Sequence, residues 1–124
     1  MEKKITDFKQ LLIWQESMLL AEEIYHTSKD FPKEEIYSLT SQIRRASLSI
    51  PSNISEGSER NSIPDFGRFL NIAKGSAAEL RTQVYIAQDV NIFSNSDATE
   101  LIQELKSISK MLQALHRSLK NRKS

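Results

Sequence analysis

The sequence predicts an all-α protein, an up-down antiparallel four-helix bundle, and three observations carry that expectation. Apolar residues recur at alternating spacings of three and four along four separate stretches, the period of helices that bury one stripe. Glycine and proline number only three each, and β-branched residues do not cluster as they do in strands. Two of the stretches keep a strict seven-residue repeat, which implies left-handed packing of neighbouring helices near ~20°. At 124 residues the chain is expected to form one domain over 1–124, burying roughly two-thirds of its unfolded surface.

The first helix is expected over about 7–29. Leu11, Trp14, Met18, Ala21 and Tyr25 form its stripe, broadened by Leu12, Ile13, Leu19, Leu20 and Ile24. Phe31-Pro32 closes it, since a residue before proline avoids the helical region. The second helix, about 38–58, opens at Tyr37 or Ser38 and buries Leu39, Ile43, Ala46, Ile50 and Ile54. Pro51 lies inside it and is expected to bend the helix without ending it, because the apolar register continues beyond. The third helix, about 63–90, starts at Ser62 with Asp65 as capping partner and Pro64 in the first turn. Phe66, Leu70, Ala73, Ala77, Leu80, Val84 and Ala87 make its heptad stripe. The fourth helix, about 97–120, opens at Ser96 or Asp97 with Glu100 as capping partner. Its stripe is Leu101, Leu105, Ile108, Leu112, Leu115 and Leu119.

The second helix carries two patterns. Gln42, Arg45, Ser49, Asn53 and Glu56 form a polar stripe roughly 120° around from the apolar one, at ~100° per residue. Short amides, hydroxyls and one charge of each sign are groups that hydrogen-bond in register with a partner surface, so this stripe is expected between subunits. On the third helix Phe69, Ile72, Ile86 and Val90 lie off the main stripe. A wide apolar face of this kind marks either a subunit contact or a fully packed central helix. Phe69 and Ile72 join the interface candidates. Arg45 is expected to form a bidentate pair with Glu56 or Glu79.

Charge is unevenly spread along the chain. The net charge is +1 overall, −2 over residues 1–30, zero over 31–61 and over 62–95, and +3 over 96–124. No acid follows Glu104, whereas Lys106, Lys110, Arg117, Lys120, Arg122 and Lys123 do. One reading is a helix C-terminus whose cations complement the macrodipole. The other is a phosphate-contacting surface, because clustered cations release counterions on binding nucleic acid. Lys110, Arg117, Lys120, Arg122 and Lys123 are its candidates. Arg44, about 100° away from Arg45 and expected to face solvent, joins them as the residue for an external anion.

Composition argues against other chemistry. With no cysteine, disulfides and thiolate metal sites are excluded. No stretch approaches the ~20 apolar residues of a membrane span, and MEKKITDFKQ lacks the apolar run of a signal peptide. A cytoplasmic protein is expected. Glu23-x-x-His26 matches a di-iron ligand spacing, but the second histidine, His116, has Gln113 where its paired acid belongs. Neither histidine has a serine-and-acid setting, and Gly57 and Gly75 form no phosphate loop. No enzyme activity, cofactor, metal, membrane or small-molecule substrate is expected.

The string Leu39-Thr40-Ser41-Gln42-Ile43-Arg44-Arg45-Ala46, followed by Ser49-Ile50-Pro51-Ser52-Asn53-Ile54-Ser55-Glu56-Gly57, is long and specific. With Trp14, Ile24-Tyr25, Phe31-Pro32-Lys33-Glu34-Glu35, Phe69-Leu70-Asn71-Ile72-Ala73-Lys74-Gly75-Ser76 and Glu79-Leu80, it resembles the four-helix bundle proteins encoded in intervening sequences of bacterial 23S rRNA genes. The departures are small: Ser55 stands where alanine is usual, and Ser47 and Ala77 replace more apolar residues. The resemblance implies a ring-shaped homo-oligomer, a pentamer. It also connects the chain with the accessory variability factor of diversity-generating retroelements, a similar pentameric barrel that binds a reverse transcriptase and nucleic acid. The expected function is therefore a non-enzymatic oligomeric scaffold for RNA or an RNA-handling protein. The alternatives are an accessory subunit of a reverse transcriptase, or a purely structural bundle without a nucleic-acid partner.

Overall fold

A computed structural model describes residues 7–122. It contains four helices: α1 (Leu12–Ser28), α2 (Leu39–Ser58), α3 (Ile63–Asp89) and α4 (Asn95–Arg122). Each packs on its neighbour in sequence, most extensively α2 on α3 and α3 on α4, while α1 meets α4 only thinly. Contacts that descend in one helix as they rise in the next make the pairs antiparallel. Ser49 meets Ser76, and Gly57 abuts Phe69. Across α3–α4, Gly67 abuts His116, Lys74 meets Gln113 and Gln88 meets Asn95. No helix among the described residues is long and apolar enough to cross a membrane.

The heptad stripes of α3 and α4 form the centre of the core. All seven α3 positions are buried, with Leu101, Leu105, Ile108, Leu112 and Leu119 of α4 and Ile43, Ala46, Ile50 and Ile54 of α2. α2 runs unbroken through the buried Pro51. Near its end a Cβ on Gly57 would lie 2.7 Å from Phe69 Cβ, so only glycine permits α2 and α3 to approach this closely. Ser62 Oγ accepts the Asp65 amide at 3.1 Å to start α3. Asn91 ends that run in the left-handed region, with φ 63°, a conformation asparagine tolerates.

Three local features differ from the sequence expectation. Asp7 accepts the Lys9 amide at 3.0 Å and organises a separate 3-10 turn, Phe8–Gln10; Leu11 is then extended, so α1 begins only at Leu12. At α4, Ser94 Oγ caps the Asp97 amide at 3.1 Å, so the helix starts at Asn95 without the Ser96–Glu100 arrangement. The face of α1 also differs. Ile13, Ser17, Leu20, Ala21, Ile24 and Ser28 are buried, whereas Tyr25 is exposed and Leu12 and Leu19 are each 60% exposed. A helix apolar nearly all round does not select its face by period. Ser17 and Ser28 can enter the core because their hydroxyls donate to the carbonyls of Trp14 (2.9 Å) and Tyr25 (3.4 Å) on their own helix.

Candidate functional site

The polar stripe of α2 divides between contacts within the chain and open surface. Ser49 Oγ bonds Ser76 Oγ of α3 at 2.7 Å, and Asn53 Nδ2 donates to Ser49 O (2.8 Å) and Oγ (2.9 Å). Both residues are half-buried; Ser49 joins α2 to α3, and Asn53 braces Ser49 from the next turn of α2. Gln42, Arg45 and Glu56 are exposed. Arg45 does not pair with Glu56 or Glu79 as expected. It donates to Gln42 Oε1 at 3.0 Å, while Glu56 pairs with Arg60 at 3.2 Å. Eleven residues of helix separate Arg45 from Glu56 by about 16 Å, beyond side-chain reach, and partners one turn away win. Glu79 lies exposed on the outer face of α3.

Phe69 is a further correction: it is 7% exposed and belongs to its own chain's packing. Its ring carries the guanidinium groups of Arg60 at 4.7 Å and Arg68 at 4.6 Å, which shield it from water. Ile72, Ile86 and Val90 do remain open, at 42%, 49% and 56%. Between them sits Gly75, whose absent Cβ would meet no heavy atom within 4 Å. A mid-helix glycine costs roughly 0.5–1 kcal/mol relative to alanine, and nothing within the chain requires one here. The outer face of α3 thus sets three open apolar side chains and an indentation at Gly75 around one exposed acid, Glu79.

Arg44, expected to face solvent, does not do so. Its Nε donates to Ser28 Oγ at 2.7 Å and its guanidinium lies 4.7 Å from the Tyr25 ring centroid. α1 occupies the side of α2 toward which Arg44 projects, so the side chain ties two helices together instead of awaiting an anion. Lys110, Arg117, Lys120 and Arg122 are exposed along α4; Lys123 lies outside the described residues. The only ion pairs among the described residues are Arg60–Glu56 and Arg68–Asp65, so no cation of α4 is paired with a described carboxylate.

The opposite edge of α4 holds residues that sequence reasoning passed over. Glu16, Leu19, Leu20 and Glu23 of α1 and Glu104, Ser107 and Ile108 of α4 line a groove of about 410 Å³. Burial, a hydrogen bond with the Glu23 carboxyl, and the charges of Glu23, Glu100 and Glu16 push the Glu104 carboxyl up to about 7. Glu23 therefore faces another acid, not a metal partner of His26, which is exposed. The signal was present in Leu12, Glu16, Leu19 and Glu23, spaced four, three and four on one edge of α1. On the α3 side of α4, His116 lies against Gly67. Its imidazole is held below the usual value by burial, then by Lys120 and Lys74.

Four sequentially packed helices with charge sorted onto separate faces define a small all-helical bundle protein. The profile of the family described as 23S rRNA-intervening sequence protein matches residues 9–114, and the chain belongs to that family. Among solved structures it is similar to a protein of unknown function from the S23 ribosomal protein family of Bacteroides thetaiotaomicron VPI-5482, determined at 1.70 Å. Identity is 23% and the TM-score 0.80, over 86% of this chain and 96% of that one. That likeness shows a shared fold. No curated protein matches the chain.

Proposed function

We propose that this chain is a non-catalytic, self-associating four-helix scaffold that holds RNA in the cytoplasm. The observation that carries the reading is the row of exposed α4 cations, Lys110, Arg117, Lys120 and Arg122, none paired with a carboxylate among the described residues. Cations that only capped a helix dipole would be confined to its last turn. These extend over three turns and present the unneutralised charge that polyanion binding uses. The family is named for sequences that interrupt 23S rRNA, which makes RNA the first polyanion to test.

Self-association is supported by the outer face of α3, where Ile72, Ile86 and Val90 are open around Gly75. A ring of five is the assembly the family resemblance implies. Native mass spectrometry on protein purified from its host without nuclease tests both parts. A closed ring carrying mass that nuclease removes is expected; a bare monomer overturns both parts, and a bare ring overturns the RNA part. Gly75→Tyr separates assembly from folding, since the position is exposed and a Cβ there meets no heavy atom within 4 Å. It should keep full helicity and lose the ring. If it assembles normally, the α3 outer face is not the interface.

A further inference from the structure

α3 brings a second line of cations alongside that of α4. Lys74, Ala78, Arg81 and Tyr85 recur at spacings of four, three and four on the side of α3 that turns toward α4. Contact sets the register: Lys74 Nζ donates to Gln113 Oε1 at 2.9 Å. Seven residues further along α3 and seven back along α4, Arg81 is level with Lys106. On α4, Lys106, Lys110, Gln113, Arg117 and Lys120 repeat at four, three, four and three, all exposed. That line extends about 21 Å at 1.5 Å per residue. None of these six cations has a carboxylate within ion-pair distance among the described residues. Glu79, the acid nearest Arg81 in sequence, lies about 160° around α3 from it at ~100° per residue. Tyr85 leaves its ring open at one end of the row.

We infer that the α3–α4 seam is a two-helix cradle for the phosphodiester backbone of RNA, with Lys74 and Arg81 on one wall and Lys106, Lys110, Arg117 and Lys120 on the other. The inference rests on the reading of this chain as an RNA scaffold, and it adds the face and the second helix. Four of the six cations are lysines, which act as point charges and not as bidentate readers of base edges, so the cradle follows backbone without reading sequence. At the roughly 3.4 Å per phosphate of one strand of a DNA duplex, taken as a guide for a nucleic-acid backbone, a 21 Å line spans about six phosphates. The positive field is felt locally at His116, beneath the cradle, where Lys120 and Lys74 both oppose the imidazolium.

The test is a salt titration of binding to a fluorescent 20-nucleotide RNA, single-stranded and as a duplex, using the full chain. With all six cations engaged on a single strand, log affinity should fall with log salt at a slope near −4. Lys74→Gln with Arg81→Gln should reduce that slope by about 1.4, and Lys110→Gln with Arg117→Gln by the same amount, with melting curves confirming that each variant is folded. Tighter binding of the single strand that Tyr85→Leu abolishes assigns the cradle to unpaired RNA. Equal, Tyr85-independent binding of both forms assigns it to backbone alone. If wild type binds but the α3 pair leaves the slope unchanged, the cradle is wrong while the scaffold reading survives. If wild type binds neither form, the RNA reading itself falls.

Discussion

α4 has two edges of opposite character, and their contrast shows how one helix can separate charge. Toward α3 it packs closely, with His116 seated against Gly67, and beside that seam run unpaired cations. Toward α1 it packs thinly, leaving a groove in which Glu16, Glu23 and Glu104 converge, with the charge of Glu100 felt at Glu104. Two titrating groups report the two fields. Glu104 is raised to about 7 by burial and neighbouring acids, and His116 is lowered by burial and neighbouring lysines. Like charges gathered on each side cost stability that pairing would have recovered.

The largest expected effect is on the tight seam. Gly67→Val would drive a side chain into the His116 ring, which already lies 2.5 Å from the position of a Cβ. It should cost about 2–3 kcal/mol in denaturant unfolding, as overpacking does. A cost below about 1 kcal/mol would show that the seam yields as readily as the groove does.

Next comes Glu104→Gln. The folded state holds this proton more tightly than the unfolded one, whose value is near 4.5. Stability from Glu104 is therefore complete below pH 4.5 and lost as pH rises through about 7. At pH 8 the variant should be more stable by about 1 kcal/mol, after discount for solvent screening of a partly exposed group. It should also flatten the pH dependence between those values. Equal melting temperatures at pH 8 would mean that the four acids do not repel as described.

Leu19→Ala on the groove wall should change stability by less than about 0.5 kcal/mol, because so little of the side chain is packed. A cost of 2 kcal/mol or more would mean that the groove closes in solution. The smallest expected effect is that of His116→Gln. The folded state disfavours the imidazolium, so stability from His116 is complete above pH 6.5 and falls as pH drops. The variant should soften that acid-side loss, opposite in sign to Glu104→Gln. A thermal melt series from pH 5 to 8 reads both.

Much of the fold was legible because heptads are a local signal: the stripes of α3 and α4 named the core residues. The face of α1 turns from the stripe its period marks: Ala21 stays buried and Leu11 and Trp14 pack at the core's edge, while Ile13, Leu20 and Ile24 form the buried centre, a choice only packing could make. The candidate site was legible as a run of cations after Glu104, but not as a face. Arg44 and Phe69 were misplaced for one reason: a position on a helical wheel does not say whether water or another helix lies beyond it. Glu23 and Glu104 are 81 residues apart and meet only across a helix pair, so no spacing rule could join them.

The sequence by itself determined four amphipathic helices, most of their ends and an acid-free final stretch, because period, capping and composition act within a few residues. The tertiary structure decided which helix pairs close tightly and which gape. It set Lys74 beside Gln113, and it made Phe69 an internal ring covered by two arginines. Those outcomes depend on side-chain volumes meeting across helices: at Gly57 the absence of a single carbon sets how near two helices come, and at Gly67 it makes room for the His116 ring.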